Sequence, residues 1–570
     1  MSKVIYACAR NRSYGPSDED RLHRICTVLE PDNIVSPTQH RIVANGNIAF
    51  AVMNYQPSVV ERRNSLLLGC LFGESPDWVE PLAEFPDGSY ALFRENEEFI
   101  ELLADAAASR TVWYFLDDEQ FVASTSQRAL VMYLDSFEFD KRVIPWLLST
   151  GTLGPELSWD QRFTRIPADS SVVLDRKSWS LSTRETPIQF MEKNRSDIEH
   201  REALNGAITE TIQSLNGVNA EEWVLPLSGG YDSRAILCFS RKAGHNAGHL
   251  RTITWGMEES IHQAGNDARV AMDLAAALGV EHRYYHTDVS DEPVGKIIDR
   301  FLQCGEGRID HLSGYMDGMR IWRDLLLDGV HGIIRGDEGF GWSPVSSALT
   351  VRYSVGCPLC SDFSNLVGVL EKYDLPAQDF PESLQQKQDS LSAWRDRLYH
   401  TYRLPTLLAA LSEIKFSYVE QINPLLSRRI LKKVRELPDR LRTDKSLFRQ
   451  LVDAVSPDVP YADKEANSSP ENILRKGPVV ELVLDTLGSD YSRTLFSPEF
   501  LEFIMDGMVV EGPAGHKKSS PLKSRIKRLV PAAIKNFLRD SGVSSFRLDP
   551  NKLAFRVYII IRMHKMMSRD

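Results

Sequence analysis

The run Leu225-Pro226-Leu227-Ser228-Gly229-Gly230-Tyr231-Asp232-Ser233-Arg234 constrains the fold more than any other part of the chain. Apolar residues lead into a glycine pair, and a helical pattern follows to Ala243. This reads as buried strand, tight turn, helix. The glycines let backbone N–H groups approach an anion more closely than a Cβ would allow. The helix points its positive end at the same spot. Ser228 and Ser233 add hydroxyl donors. Asp232 cannot bind phosphate directly, because like charges repel, but it suits a Mg²⁺ ion. The segment therefore reads as a nucleotide-phosphate cradle with a metal. The competing reading is a plain strand-to-helix turn that uses glycine for geometry.

The flanking sequence extends the pattern. Strand-like runs at 223–227, 249–255, 282–286 and 331–334 alternate with helical runs at 233–243, 264–278 and 315–326. Such alternation predicts a parallel sheet with helices on its faces. Ligands then bind beyond the carboxyl ends of the strands. There, Thr254 and Gly256 are placed to frame an adenine. Asp337, after a buried apolar strand and next to Gly336, is the candidate second Mg²⁺ ligand beside Asp232. Residues 1–190 hold short β-like runs separated by turn residues, which predicts a layered β domain. A polar link at 192–197 leads to a helix from Ile198. Residues 381–451 are mostly helical in pattern.

A chain of 570 residues exceeds what one core usually supports, so two or three domains are expected. They are 1–190, 191–510 and a tail at 511–570. Hydrophobic content of 42% and charged content of 25% suit a globular protein without membrane spans. Residues 1–8 lack a signal-peptide pattern, and seven scattered cysteines do not form a disulfide framework. A cytoplasmic location is expected. Cys357 and Cys360 form a lone CxxC, too few ligands for zinc. A net charge of −11 weighs against a nucleic-acid partner. Residues 512–570, however, hold 14 Lys and Arg against 3 Asp and Glu. Between 517 and 538 basic and apolar residues alternate as in an amphipathic helix. That helix either touches a membrane or an acidic partner, or packs on the acidic body.

The phosphate loop resembles that of the ATP pyrophosphatases, and the wider pattern resembles the asparagine synthetase family, including β-lactam synthetases and lasso-peptide cyclases. Asn266-Asp267-Ala268-Arg269-Val270-Ala271, Asp337-Glu338, residues 419–426 (Val-Glu-Gln-Ile-Asn-Pro-Leu-Leu) and the pair Lys445 and Arg449 fit the family's segments. So does Tyr461-Ala462-Asp463-Lys464-Glu465-Ala466-Asn467, where the family carries a catalytic lysine. Near the N-terminus, Pro86-Asp87-Gly88-Ser89-Tyr90-Ala91 and Asp105, Arg110 and Tyr114 resemble the family's glutaminase domain.

The resemblance implies an α/β fold: an Ntn-hydrolase-like layered domain, then an ATP-pyrophosphatase-like domain with a parallel sheet and a helical C-terminal part. Leu227, Ser228, Gly229, Gly230, Asp232, Ser233, Thr254, Gly256 and Gly336 would bind ATP, and Asp232 and Asp337 would hold Mg²⁺. Lys464 would stabilise the oxyanion. Two readings of Glu420 stand: a general base, or a structural ion pair with Arg428 or Arg429.

The implied reaction joins a small-molecule or peptide carboxylate to an amine through an acyl-adenylate, releasing pyrophosphate. A homodimer is compatible with this pattern. Two departures appear. Position 2 is serine and Cys8 lies inside a strand, so the glutaminase nucleophile is missing. Ile334 stands where relatives carry Glu or Tyr. A non-catalytic nucleotide-binding homologue and a tRNA-modifying pyrophosphatase are the alternatives.

Overall fold

The computed structural model describes residues 3–34, 39–55, 58–215, 218–219, 221–244, 250–287, 290–467, 470–510 and 546–569. Twelve strands build the first half: β1 (Lys3–Ala9), β2 (Arg41–Asn45), β3 (Ile48–Met53), β4 (Val59–Arg62), β5 (Ser65–Leu71), β6 (Gly88–Glu95), β7 (Phe99–Ala104), β8 (Trp113–Leu116), β9 (Gln120–Ser124), β10 (Thr164–Arg165), β11 (Ser170–Asp175) and β12 (Ser180–Glu185). They form two six-stranded sheets, β10-β8-β9-β1-β3-β2 and β12-β11-β7-β6-β5-β4. Every pairing within them is antiparallel.

The two-residue period of a strand explains why β1 is apolar from Val4 onward. Val4, Tyr6 and Cys8 enter a core shared with Phe93 and Leu102 of the second sheet. Ile5, Ala7 and Ala9 face the other way, onto a core that includes Leu22 and Ile25 of the helix Pro16–Leu29. Both faces are covered, so the strand reads as one hydrophobic run. The helix Pro16–Leu29 and strands β4, β5 and β12 add to the elements expected from the sequence.

The polar stretch before residue 197 leads into the helix Asp197–Ser214. Ser196 caps it, and Glu199 completes a capping box. A second sheet system then forms from β13 (Trp223–Pro226), β14 (Thr252–Gly256), β15 (His282–His286), β16 (Gly332–Ile334) and β17 (Glu420–Ile422). Its order is β15-β14-β13-β16-β17, and all four pairings are parallel. The chain runs outward from β13 to β15, then returns to β16 on the other side. The switch point lies between β13 and β16. The expected strands are present, and β17 is a fifth.

The stretch expected to be mostly helical, 381–451, contains an unusual piece. Residues Tyr399–Leu408 wind as a π-helix with Pro405 inside. Proline lacks an N–H and its ring clashes with the preceding turn, which favours the wider winding.

The tail is corrected in part. Residues 511–545, which carry the basic apolar pattern, lie outside the described residues. Pro550–Met567 is a core helix instead, with Phe555, Ile559, Ile560 and Met563 fully buried. No helix among the described residues is long and apolar enough to cross a membrane. All seven cysteines are free.

Candidate nucleotide site

A cleft of about 280 Å³ opens at the carboxyl end of the parallel sheet. Pro226 ends β13 and Leu227 and Ser228 follow it, Thr254 and Trp255 lie at the end of β14, and Arg335, Gly336 and Asp337 follow β16. It lies at the switch point, where open parallel sheets place ligands. Asp232 and Ser233 also line it, from the first turn of the helix Asp232–Lys242.

The turn is tied internally. Ser228 N–H donates to Ser233 Oγ at 2.9 Å, and the two hydroxyls are 3.0 Å apart. Gly229 N–H donates to Asp267 Oδ1 at 2.8 Å. Burial pushes the Asp267 carboxyl up, against the pull of that hydrogen bond. Two glycines are required by close approach. A Cβ on Gly229 would lie 2.6 Å from the Ala462 Cβ, and one on Gly336 would lie 2.8 Å from the Ser233 nitrogen. The acid loop after β16 therefore packs directly on the helix start.

Lys445 joins the acids. Its Nζ lies 3.0 Å from Asp232 and 2.8 Å from Glu338. Burial opposes its charge, yet those two carboxylates hold its pKa above the ordinary lysine value. Asp232 moves the other way. Burial and the nearby Glu338 and Asp337 push it up to about 6, against the pull of Lys445. Lys445 is delivered by strained backbone: Asp444 and Lys445 are both left-handed, at φ 57° and 55°. Asp444 N–H donates to the Trp342 carbonyl at 2.9 Å, which ties this turn to the acid loop. Arg335 reaches Asp337 at 3.0 Å.

The two proposed metal ligands thus share one rim. Among the described residues no three acidic, histidine or cysteine side chains cluster as a metal cage. Mg²⁺ usually takes one or two carboxylates and completes its shell with phosphate and water. Asp232 and Asp337, each now facing a cation, fit that donor set.

Of the nine expected nucleotide contacts, Leu227, Ser228, Asp232, Ser233, Thr254 and Gly336 line the cleft. Gly229, Gly230 and Gly256 do not; Gly256 is closed off by Ala466, 2.7 Å from where its Cβ would stand. Ile334 is buried in the core.

Neither expected catalytic residue, Glu420 or Lys464, lines the cleft. Glu420 pairs with Gly332, two residues back from the carboxyl end of β16. It is fully buried and bound to Arg110, neither Arg428 nor Arg429. Burial works against its charge, but Arg110 holds its pKa below the usual range. A base sealed behind an arginine and set back along the strand does not reach the cleft. Arg428 and Arg429 bind Asp169 and Asp87 instead.

Lys464 is exposed, and its Nζ donates to the Ala264 carbonyl at 2.8 Å. Its own carbonyl accepts from Asp267 N–H at 2.9 Å, and Asn467 lines the cleft. The 461–467 segment therefore forms a lip, while the Lys464 ammonium stands outside. Sequence reasoning left out Lys445, Arg335, Trp255, Asp267 and Asn467 as site residues. The Lys445 and Arg449 spacing was the available signal for one of them.

The parallel sheet and its switch point define an α/β domain with a ligand-sized cleft at the carboxyl ends of its strands. Residues 218–307 match the family model described as Asparagine synthase. No curated protein matches the chain.

Three solved structures align weakly. An allosteric regulatory enzyme of purine biosynthesis is 8% identical, over 50% of this chain and 80% of that one, at TM-score 0.21. The glutamine PRPP amidotransferase from B. subtilis with ADP and GMP is 9% identical, over 59% and 90%, at TM-score 0.21. NMN synthetase from Francisella tularensis is 18% identical, over 40% and 94%, at TM-score 0.16. Scores this low say nothing further about this chain.

Proposed function

We propose that the protein is an ATP-dependent, AMP-forming amide synthetase that adenylates a carboxylate and passes the acyl group to an amine. One observation carries this reading: the Ser228–Ser233 turn opens on the same cleft as Asp337, with Asp232 between them. A phosphate-binding turn and two metal-suited acids on one rim are what cleavage of a nucleotide triphosphate needs. Mg²⁺, held by Asp232 and Asp337, would supply charge neutralisation for the phosphates when bound.

The chain's own residues do the rest. The first turn of the helix Asp232–Lys242 takes the phosphates. Thr254 and Trp255 at the end of β14 flank the base and sugar. Lys445, poised between Asp232 and Glu338, supplies the fixed positive charge next to the reacting groups.

The amine comes from outside the protein. Cys8 is wholly buried in β1, and burial raises its thiol to about 11, which supports a chain without its own glutaminase. The acid acceptor is a biosynthetic acid or a peptide carboxylate. Incubation with ATP, Mg²⁺, hydroxylamine and a panel of such acids should yield AMP and pyrophosphate by ³¹P NMR. ADP with orthophosphate as the only products would overturn the reading.

A further inference from the structure

A second, larger cavity of about 410 Å³ lies where the two halves of the chain meet. Trp223 and His331 line it from the amino-terminal sides of β13 and β16. The other ends of those strands carry the phosphate turn and Asp337. The cavity therefore sits at the opposite end of the parallel sheet from the cleft. Ser58, just before β4, Leu67 of β5 and Trp78 line it from the antiparallel half.

Its size and make-up are those of a small-molecule site, an apolar lining with a few placed polar groups. The Trp223 ring lies against the backbone of β16: a Cβ on Gly332 would stand 2.4 Å from it. Val60 and Asn219 are exposed at the edge, so the cavity opens to solvent. No lysine or arginine lines it, and its one carboxylate is Glu222. Among the described residues that carboxylate pairs only with His331, Nδ1 to Oε2 at 3.0 Å. Arg62 lies over the Trp78 ring, 5.9 Å from its centre, outside the lining. The Cys70 thiol adds no second anion: burial, with Glu420 adding to it, raises its pKa to about 11. The Ser58 hydroxyl is buried and, among the described residues, has no hydrogen-bond partner. A buried hydroxyl in that state is completed by a ligand or by water.

We propose that this cavity is a second ligand site, for a small aromatic amine. The ring packs on the Trp78 and Trp223 indoles, and the ammonium is held by the Glu222 carboxylate, with the Ser58 hydroxyl as a further acceptor. An acid of the same shape would meet Glu222 with like charge. The site shares no lining residue with the cleft, so it stands whether or not the cleft holds ATP.

The test is isothermal titration of the full chain at pH 8, where an imidazole is uncharged and an alkylamine protonated. Tryptamine and phenethylamine are set against indole-3-propionate and 3-phenylpropionate, which carry the same rings with the opposite charge. Hexylamine supplies the charge without the ring. At least one aromatic amine should bind about tenfold more tightly than its matched acid and than hexylamine. Glu222→Gln should weaken that amine about tenfold or more, the scale of one charge-assisted hydrogen bond. Glu222→Lys should reverse the preference, so that the matched acid binds better. Glu222 is half-exposed, so both variants should fold, which circular dichroism checks.

The proposal falls if neither aromatic amine binds, if the matched acid or hexylamine binds as well, or if Glu222→Gln holds the amine as the wild type does. It falls too if Glu222→Lys leaves the preference unchanged. Displacement of the amine by Mg²⁺ and α,β-methylene-ATP, with Glu222→Gln unaffected, would assign the amine to the nucleotide cleft and overturn it. A dimer in sedimentation that Glu222→Lys disperses, with no amine bound, would give the cavity to a second copy of the chain and also overturn it.

Discussion

Two lysines separate what is visible in sequence from what needs a fold. Lys464 occupies the position of a catalytic lysine by resemblance, yet its ammonium is spent on the Ala264 carbonyl at the outer lip. Lys445 shows in sequence only as one of a spaced pair with Arg449, and the left-handed pair Asp444 and Lys445 turns it inward. No pattern of residue types signals such a turn, because neither residue is glycine. Lys445→Met should lower kcat by about 10²–10³, the scale of one electrostatic donor, in a hydroxamate assay. Lys464→Met should stay within a few-fold of wild type, since it leaves the backbone carbonyl that binds Asp267. Equal losses in both variants would mean that the lip closes inward during turnover.

Among the elements, the π-helix Tyr399–Leu408 governs the acid loop. His400 Nε2 donates to the Gly339 carbonyl at 2.8 Å, while Nδ1 accepts from Arg435 at 3.3 Å. Burial, with Arg435 adding to it, lowers its pKa to about 3. An unfolded histidine titrates near 6.5, so between those values the unfolded chain binds more protons. Stability is therefore full above pH ~6.5 and falls as pH drops toward 3. At pH 5.5 this one group should cost about 1.4 kcal/mol relative to pH 7.5. Urea unfolding of wild type and His400→Gln at both pH values should show that difference. His282, also lowered, is common to both proteins and cancels.

Regular elements were the legible part: the strands that begin at Trp223 and His282 announce themselves through their alternation with helical runs. The π-helix was not, since its apolar spacing matches an ordinary helix until Pro405. Nor was β17 (Glu420–Ile422), which lies inside the 381–451 stretch whose pattern is mostly helical.

For the whole molecule, the outlying helix Pro550–Met567 matters most. Arg556 donates to Asp310 at 2.6 Å and to the Leu148 and Ser149 carbonyls at 2.8 and 2.9 Å. Burial works against the Asp310 charge, yet Arg556 holds its pKa well below the usual carboxylate range. Arg556→Met leaves a buried carboxylate without its main partner and should destabilise by about 3–5 kcal/mol. A fall in melting temperature checks this, and the double variant Arg556→Met, Asp310→Leu should recover much of it. The two-sheet and parallel-sheet layout could be read from alternation, but the partnership of residue 556 with 310 could not, being set by packing alone. The same helix shares one core with Ile5 of β1, Val224 of β13 and Ile333 of β16. A ribosome delivers the phosphate turn long before it delivers that helix. The nascent chain therefore carries the Ser228–Ser233 turn on an unfinished backing until the helix that completes this core has been made.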